Sequence, residues 1–310
     1  MAPSIKKQTV SIGENPCSRL VLGTAQLGLD YGIANKTGSP DSETAKTILK
    51  LALNAGICEF DTAQGYGSSE KILGEALSSL NATDQVRIIT KPSADIDLFL
   101  AGSLKDALTI SLDRLGIKRA YGFMLHKERL LDQWQNGLGK CMKGLAEAGL
   151  VEHIGISVYT PKKAFQALSI DEITIVQIPS NVLDRRFEEA GVFREAARRR
   201  KQLYVRSVFL QGLLLVEPEG LSPRMAFAAP TLDALRSLAD SAGITCHRLA
   251  LGYVRDAYPD AKIIFGAETP EQVARNVEAW RKPLLNGLVE QIQERFRDVE
   301  VKVLNPVLWQ

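Results

Sequence analysis

The sequence predicts an α/β chain closed into a (β/α)8 TIM barrel, with residues 1–310 forming one domain. Short apolar runs of strand length recur eight times, segments of helical spacing separate them, and no long Gly/Ser/Pro linker divides the chain. A parallel strand buried on both faces reads as a short, nearly continuous hydrophobic run. At 310 residues the chain is long for one average domain but ordinary for a barrel of this kind.

In order, the strand-like runs are LVLG (20–23), CEFDT (58–62), VRIIT (86–90), YGFMLH (121–126), HIGISV (153–158), TIVQI (174–178), LYVRS (203–207) and KIIFG (262–266). Between them, SETAKTILKLALNAG (42–56) and SLKDALTISLDRLG (103–116) show helical periodicity, each with Ser near its start and Gly at its end. The first turn after a strand, GTAQLGLDYG (23–32), lacks the G-x-G-x-x-G spacing that opens a dinucleotide-binding open sheet, which favours closure. The Pro-rich stretch EPEGLSPRMAFAAP (217–230) reads as a long loop inserted on the active-site face, since chemistry in a barrel sits where the strands end. The basic run ARRRK (197–201) falls at a helix end, where cations complement the dipole, and reads as solvated surface.

With 45% hydrophobic residues, 24% charged residues and a net charge of +2, the chain has the composition of an ordinary globular protein and no basic excess suited to a nucleic-acid partner. Cys17, Cys58, Cys141 and Cys246 are far apart, with neither zinc-ligand spacing nor a disulfide framework, so they read as reduced thiols of a cytoplasmic protein without a metal. The N-terminal MAPSIKKQTVSIGENP lacks the apolar stretch of a secretory signal. No run of about eighteen apolar residues is present to span a membrane. Oligomeric state leaves no mark on the sequence.

Reducing a carbonyl by hydride transfer requires a proton at the oxygen as negative charge develops there. A lone tyrosine, with a pKa of about 10, is a weak acid near neutrality. A lysine beside it, itself held by a carboxylate, favours the phenolate and lowers that pKa. A histidine close by can orient the carbonyl and donate to the developing oxyanion. Asp61, Tyr66, Lys91 and His126 stand at or just beyond the ends of successive strand-like runs, where their side chains would converge. Taken singly each has an ordinary reading, Asp61 as a turn cap, Tyr66 as a loop aromatic and His126 as a core histidine. The four together, in that order at strand ends, point to a site.

The segment FDTAQGYGSSEKILGEAL (60–77) resembles the aldo-keto reductase superfamily, with Asp-Thr-Ala before Tyr-Gly and Ser-Glu opening the next helix. The resemblance continues through IITKP, LHKE, GISV, VQIPSNVLDRR and FGAETPEQVARN, and so covers nearly the whole chain. It implies Tyr66 as general acid, Lys91 and Asp61 as the pair that tunes it, and His126 as the group that positions the carbonyl. It also implies a nicotinamide dinucleotide lying across the barrel mouth. Ser157 and Gln177 match positions that hold the nicotinamide carboxamide, and Asn181 lies in the same strand-end region. The other cofactor contacts fall to Gly23, Thr24, Ser207 and the loop from Gly266 to Asn276, with Glu268, Gln272 and Arg275 in it.

Two departures from the family pattern bear on the cofactor. Arg206 stands where many members stack an aromatic on the nicotinamide. A guanidinium there should repel the cationic oxidised ring and tolerate the neutral reduced one; alternatively it points to a carboxylate of the substrate or of the protein. Where NADPH-using members offer Ser, Lys or Arg for the 2′-phosphate, this chain has Glu268 and Thr269. A carboxylate suits a ribose hydroxyl pair, so NAD(H) is favoured over NADP(H), while Gln272 and Arg275 keep NADP(H) open. The reading is an NAD(P)(H)-dependent oxidoreductase that reduces an aldehyde, ketone or sugar carbonyl of a small-molecule substrate, or runs the reverse. The alternative is an NADH-binding, oxidoreductase-like regulator, as in bacterial cell-division control, whose cofactor state governs a protein partner. Arg206 and the acidic loop favour the regulator, and the intact tetrad favours the enzyme.

Overall fold

In a computed structural model of the chain, which describes residues 19–35, 37–97 and 102–309, eight strands form a closed ring. They are β1 (Leu20–Gly23), β2 (Glu59–Asp61), β3 (Arg87–Thr90), β4 (Ala120–Leu125), β5 (Val151–Ser157), β6 (Ile173–Pro179), β7 (Gln202–Arg206) and β8 (Lys262–Gly266). Each pairs in parallel with the next, and β8 returns to β1 through the register Leu20↔Ile263 to Gly23↔Gly266. All eight expected runs are strands, in order and within two residues of the expected bounds. Cys17 and the start of the expected domain lie outside the described residues; Cys58, Cys141 and Cys246 are free thiols.

Helices wrap the ring for reasons visible in their residues. The helix Ser42–Asn54 buries Ala45, Ile48, Leu49, Ala52 and Leu53, an i, i+3, i+4, i+7, i+8 stripe, and its first turn is capped by Asp41, which accepts from the Thr44 amide at 2.8 Å. The helix Ser103–Leu115 stops at Gly116, whose φ of +66° supplies the left-handed residue that ends many helices. In the basic run, Arg198 and Arg199 pair with Glu195 at the end of the helix Val192–Arg198. Lys201 turns inward, donating to the Ile170 and Ile173 carbonyls at 2.6 and 2.7 Å.

Two apolar layers result. The larger fills the space between strands and helices, and a smaller cluster of Val21, Ile89, Met124, Ile175, Tyr204 and Ile264 fills the ring. That interior is tightly packed, since a Cβ on Gly155 would come within 2.8 Å of both Met124 and the Ile175 carbonyl. Side chains alternate along a strand, so the residue two positions on points the same way. Two positions on from these interior residues stand Gly23, Lys91, His126, Gln177, Arg206 and Gly266, all at the carboxyl ends of the strands. Strand parity therefore aims the candidate site residues at one end of the barrel.

One expectation is corrected. Residues 217–230 form two short 3-10 turns, Pro218–Gly220 and Pro223–Ala228, that run into the helix Ala229–Ser241. Their apolar Met225 and Ala228 are buried, and the Phe227 ring packs under the Lys302 ammonium at 4.2 Å. The segment lining the cavity at the strand ends is instead Ser207 to Leu215, just upstream.

Candidate active site

Asp61 and Lys91 form the base of the site. Lys91 is fully buried and donates to Asp61 Oδ1 at 2.7 Å and to the Thr62 carbonyl at 3.1 Å. The same Oδ1 accepts from Gln177 Nε2 at 2.9 Å. An ammonium taken out of water is strongly disfavoured unless a carboxylate meets it. Burial accordingly pushes the Lys91 pKa down, and Asp61 pulls it back up.

Tyr66 is held by the loop that carries it. Its amide donates to the Ala63 carbonyl and its own carbonyl accepts from the Ser69 amide, both at 3.0 Å. Gly67 sits at φ +58°, and a Cβ there would lie 2.3 Å from the Gly28 carbonyl oxygen; one on Gly28 would lie 2.1 Å from that of Tyr66. Only two glycines let these backbones approach so closely. Ser69 and Glu70, both buried, anchor the helix Ser69–Ser79: Ser69 donates to the Thr24 carbonyl at 2.7 Å, and Glu70 accepts from Thr90 at 2.6 Å. The Tyr-Gly and Ser-Glu pairs thus lock the turn after β1, the loop after β2 and the end of β3 together.

His126 meets Tyr66 edge to face, with ring centroids 5.8 Å apart at 82°, and Lys91 Nζ lies 5.4 Å from the centre of the Tyr66 ring. Burial first, then the charges of Lys91 and Arg206, lower the His126 pKa to about 4, so the imidazole is neutral near neutral pH. Its Nδ1 is buried with no partner among the described residues. The Tyr66 phenol is pushed above its usual range, by burial first and Asp61 second, while Arg206 pulls the other way. This differs from the expected lowering by Lys91, because Asp61 balances the lysine's charge and desolvation dominates.

A cavity of about 210 Å³ opens from this base. Of the expected site residues, Gly23, Thr24, Asp61, Tyr66, Arg206, Ser207, Gly266, Glu268, Gln272 and Arg275 line it. Lys91, Gln177 and Asn276 are buried behind the wall. Ser157 is buried and accepts from Arg206 Nε at 3.4 Å, while Ser207 Oγ accepts from Arg206 Nη1 at 3.1 Å. Asn181 is committed to the protein, donating to the Ser207 carbonyl at 3.1 Å and accepting the Leu183 and Asp184 amides at 2.9 Å. At the far end Gln272 Nε2 donates to Glu268 at 3.0 Å, Gln272 Oε1 accepts the Glu268 amide at 2.9 Å, and Arg275 is exposed at the rim.

Sequence reasoning missed Gln26, Tyr31, Phe209 and His247, which also line the cavity. Phe209 stacks on His247 at 5.1 Å, and His247 hydrogen-bonds Asn276 Oδ1 at 3.2 Å. Gln26 and Tyr31 lie in the turn GTAQLGLDYG, which lacks the phosphate-binding fingerprint and carries no other local pattern that marks its side chains. Phe209 and His247 come together from separate segments, and no local pattern marks such a pairing. No group of three or more His, Cys, Asp or Glu side chains that could hold a metal occurs among the described residues. No helix there is long and apolar enough to cross a membrane.

A parallel eight-stranded barrel with a Lys-Asp pair, a tyrosine and a histidine at the strand ends, beneath a cavity running to the turn after β8, defines a class of barrel oxidoreductase. The model of the aldo/keto reductase family matches residues 19–295, and the chain belongs to that family of NAD(P)H-dependent oxidoreductases. The chain is similar to Aldo-keto reductase YhdN of Bacillus subtilis, 28% identical over 56% of this chain and 53% of that protein. It is also similar to L-glyceraldehyde 3-phosphate reductase of Escherichia coli O157:H7, 25% identical over 94% of this chain and 93% of that protein. Among solved structures, the holo form of an aldo-keto reductase from Bacillus halodurans superposes with a TM-score of 0.73, covering 97% of this chain and 99% of that one, at 24% identity. That likeness concerns the fold.

Proposed function

We propose that the chain reduces an aldehyde, ketone or sugar carbonyl to an alcohol, or runs the reverse, with Asp61, Tyr66, Lys91 and His126 as the catalytic tetrad. The observation that carries the reading is the buried Lys91–Asp61 pair, 2.7 Å apart, placed under a Tyr66 that lines the cavity. The residues along that cavity fit a dinucleotide: Arg206, whose Nη2 has no partner among the described residues, and Ser207 line it together with Tyr66, and the Glu268–Gln272 carboxylate-amide pair stands at the other end. A bound reduced nicotinamide supplies the hydride.

The chain's own groups handle the proton and the charge. Burial and Asp61 keep the Tyr66 phenol protonated at neutral pH, so it has a proton to give as charge builds on the carbonyl oxygen. Lys91 faces the ring and offsets the phenolate left behind, and Asp61 with Gln177 fixes Lys91 in place. Neutral His126, edge-on to Tyr66, is placed to donate to the same oxygen.

Glu268, held by Gln272, suits a ribose hydroxyl pair and supports NAD(H) over NADP(H); the exposed Arg275 is the feature that favours a 2′-phosphate. Arg206 carries a permanent charge and disfavours the oxidised ring. The same observation supports a second reading, an NADH-binding regulator acting on a protein partner. The proposal includes a single-domain, cytoplasmic protein acting on a small molecule. Steady-state oxidation of NADH and NADPH over a panel of aldehydes, ketones and sugars tests it. Turnover, faster with NADH, is expected; tight NADH binding without turnover across the panel would favour the regulator.

A further inference from the structure

We propose that Arg206, which packs on the Tyr159 ring and lines the cavity together with Tyr31, is an oxyanion subsite for the substrate, so that the preferred carbonyl compound carries a carboxylate or a phosphate. The proposal deepens the reductase reading above and rests on it.

Three features of Arg206 point this way. Its polar partners are the neutral hydroxyls of Ser157 and Ser207, at 3.4 and 3.1 Å, and its Nη2 is buried without any partner among the described residues. No carboxylate lies within ion-pairing distance of it in the described residues, since Asp61 is taken by Lys91 at 2.7 Å. Beside Tyr66 the cations Lys91 and Arg206 meet one carboxylate, Asp61, while Glu268 and Arg275 stand at the far end of the cavity, so the surplus positive charge near the tetrad sits on a planar fork of donors. A half-buried guanidinium short of hydrogen bonds is unfavourable until an anion meets it, and a carboxylate or phosphate oxygen pair matches its geometry. The alternative that Arg206 answers a protein carboxylate finds no support among the described residues.

The surroundings fit an anion held near the reacting carbonyl. The guanidinium lies over the Tyr159 ring with Cζ 4.4 Å from the centroid, a contact that fixes its plane. Desolvation at the hydroxyl end of the partly exposed Tyr31 raises its pKa, so the phenol stays protonated and able to donate, and the charges of Arg206 and Tyr159 also reach it. Both rings stay exposed, at 37% and 46%, although they are large and apolar in body. The Arg206 charge also reaches Tyr66 and His126, so the subsite adjoins the proton donor.

The test compares kcat/KM for paired substrates at saturating reduced cofactor: succinic semialdehyde against butanal, and glyceraldehyde 3-phosphate against glyceraldehyde. Wild-type protein should favour the charged member of at least one pair by about tenfold or more, and which pair shows it separates carboxylate from phosphate. In Arg206→Gln that ratio should fall by about 10- to 100-fold, and in Arg206→Lys, which keeps the charge but loses the fork, by less. Cofactor affinity is followed by NADH fluorescence, and succinate and inorganic phosphate are titrated calorimetrically into wild type and both variants. Binding of either anion to wild type and its loss in Arg206→Gln support the subsite even where no carbonyl is turned over, an outcome that overturns the reductase reading alone. Turnover with no charge preference, an unchanged ratio in Arg206→Gln, or equal losses on both substrates that track weakened NADH binding would overturn the subsite and leave the reductase standing.

Discussion

Two buried carboxylates, Glu59 and Asp61, stand two residues apart on β2 and face opposite ends of the barrel interior. Glu59 is saturated. Its Oε1 accepts from Lys262 at 2.6 Å and Arg87 at 3.3 Å, and its Oε2 accepts from the Tyr204 hydroxyl at 2.8 Å. Asp61 receives Lys91 and Gln177 on one oxygen, and around it Tyr66 faces a cavity while His126 Nδ1 and Arg206 Nη2 lack partners among the described residues. A satisfied buried network rigidifies a fold, and an incomplete one leaves groups free for a ligand. One strand thus carries a fully partnered buried carboxylate at one end and, at the other, an ion pair beside an open cavity.

That contrast predicts where substitutions act. Lys91→Met should do the greatest damage, because it strands Asp61 in the interior and removes the cation facing Tyr66. A loss of about 3–5 kcal/mol is expected in urea denaturation, with turnover of any folded protein down about 100-fold or more. An unchanged denaturation midpoint would contradict the burial of the Lys91–Asp61 pair. Glu59→Gln should be milder, about 1–3 kcal/mol, because Arg87 is largely exposed and Lys262 partly so, and both can recover hydration. If it impaired turnover per folded molecule as severely as Lys91→Met, the division between the two ends would fail.

The smallest effect is on pH dependence. All three histidines, His126, His153 and His247, have lowered pKa values, with burial the leading cause in each. A histidine held neutral in the fold is protonated first in the unfolded chain. Stability is therefore intact above about pH 6.5 and declines as pH falls towards the His126 value of about 4. Denaturation midpoints at pH 7.5, 6 and 5 should fall in that order, and His126→Gln should flatten part of the slope. A midpoint that rises on acidification would contradict the sign.

The barrel was legible because each strand is a short apolar run, and the candidate site residues were legible because they are polar groups at or just beyond the ends of those runs. Strand parity sharpens this, since Ile89 to Lys91 and Ile175 to Gln177 are steps of two along an inward face. The saturated end was not legible. Glu59 and Lys262 sit inside runs read as apolar, and their pairing spans 203 residues. The Gln177–Asp61 bond and the commitment of Asn181 to its own turn were hidden for the same reason: partners from distant strands leave no local pattern. The stretch 217–230 reads as a loop because proline marks a turn, whereas the same prolines here open the 3-10 turns Pro218–Gly220 and Pro223–Ala228.

The central claim is that the open end of β2 does the chemistry and the closed end holds the fold. It is tested most directly by measuring kcat and urea midpoint together for wild type, Tyr66→Phe and Glu59→Gln. Tyr66→Phe should lose about 10²- to 10⁴-fold in kcat with its midpoint nearly unchanged, and Glu59→Gln should lower the midpoint and keep kcat within about threefold of wild type. A Tyr66→Phe protein that turns over its carbonyl substrate at the wild-type rate would contradict the account.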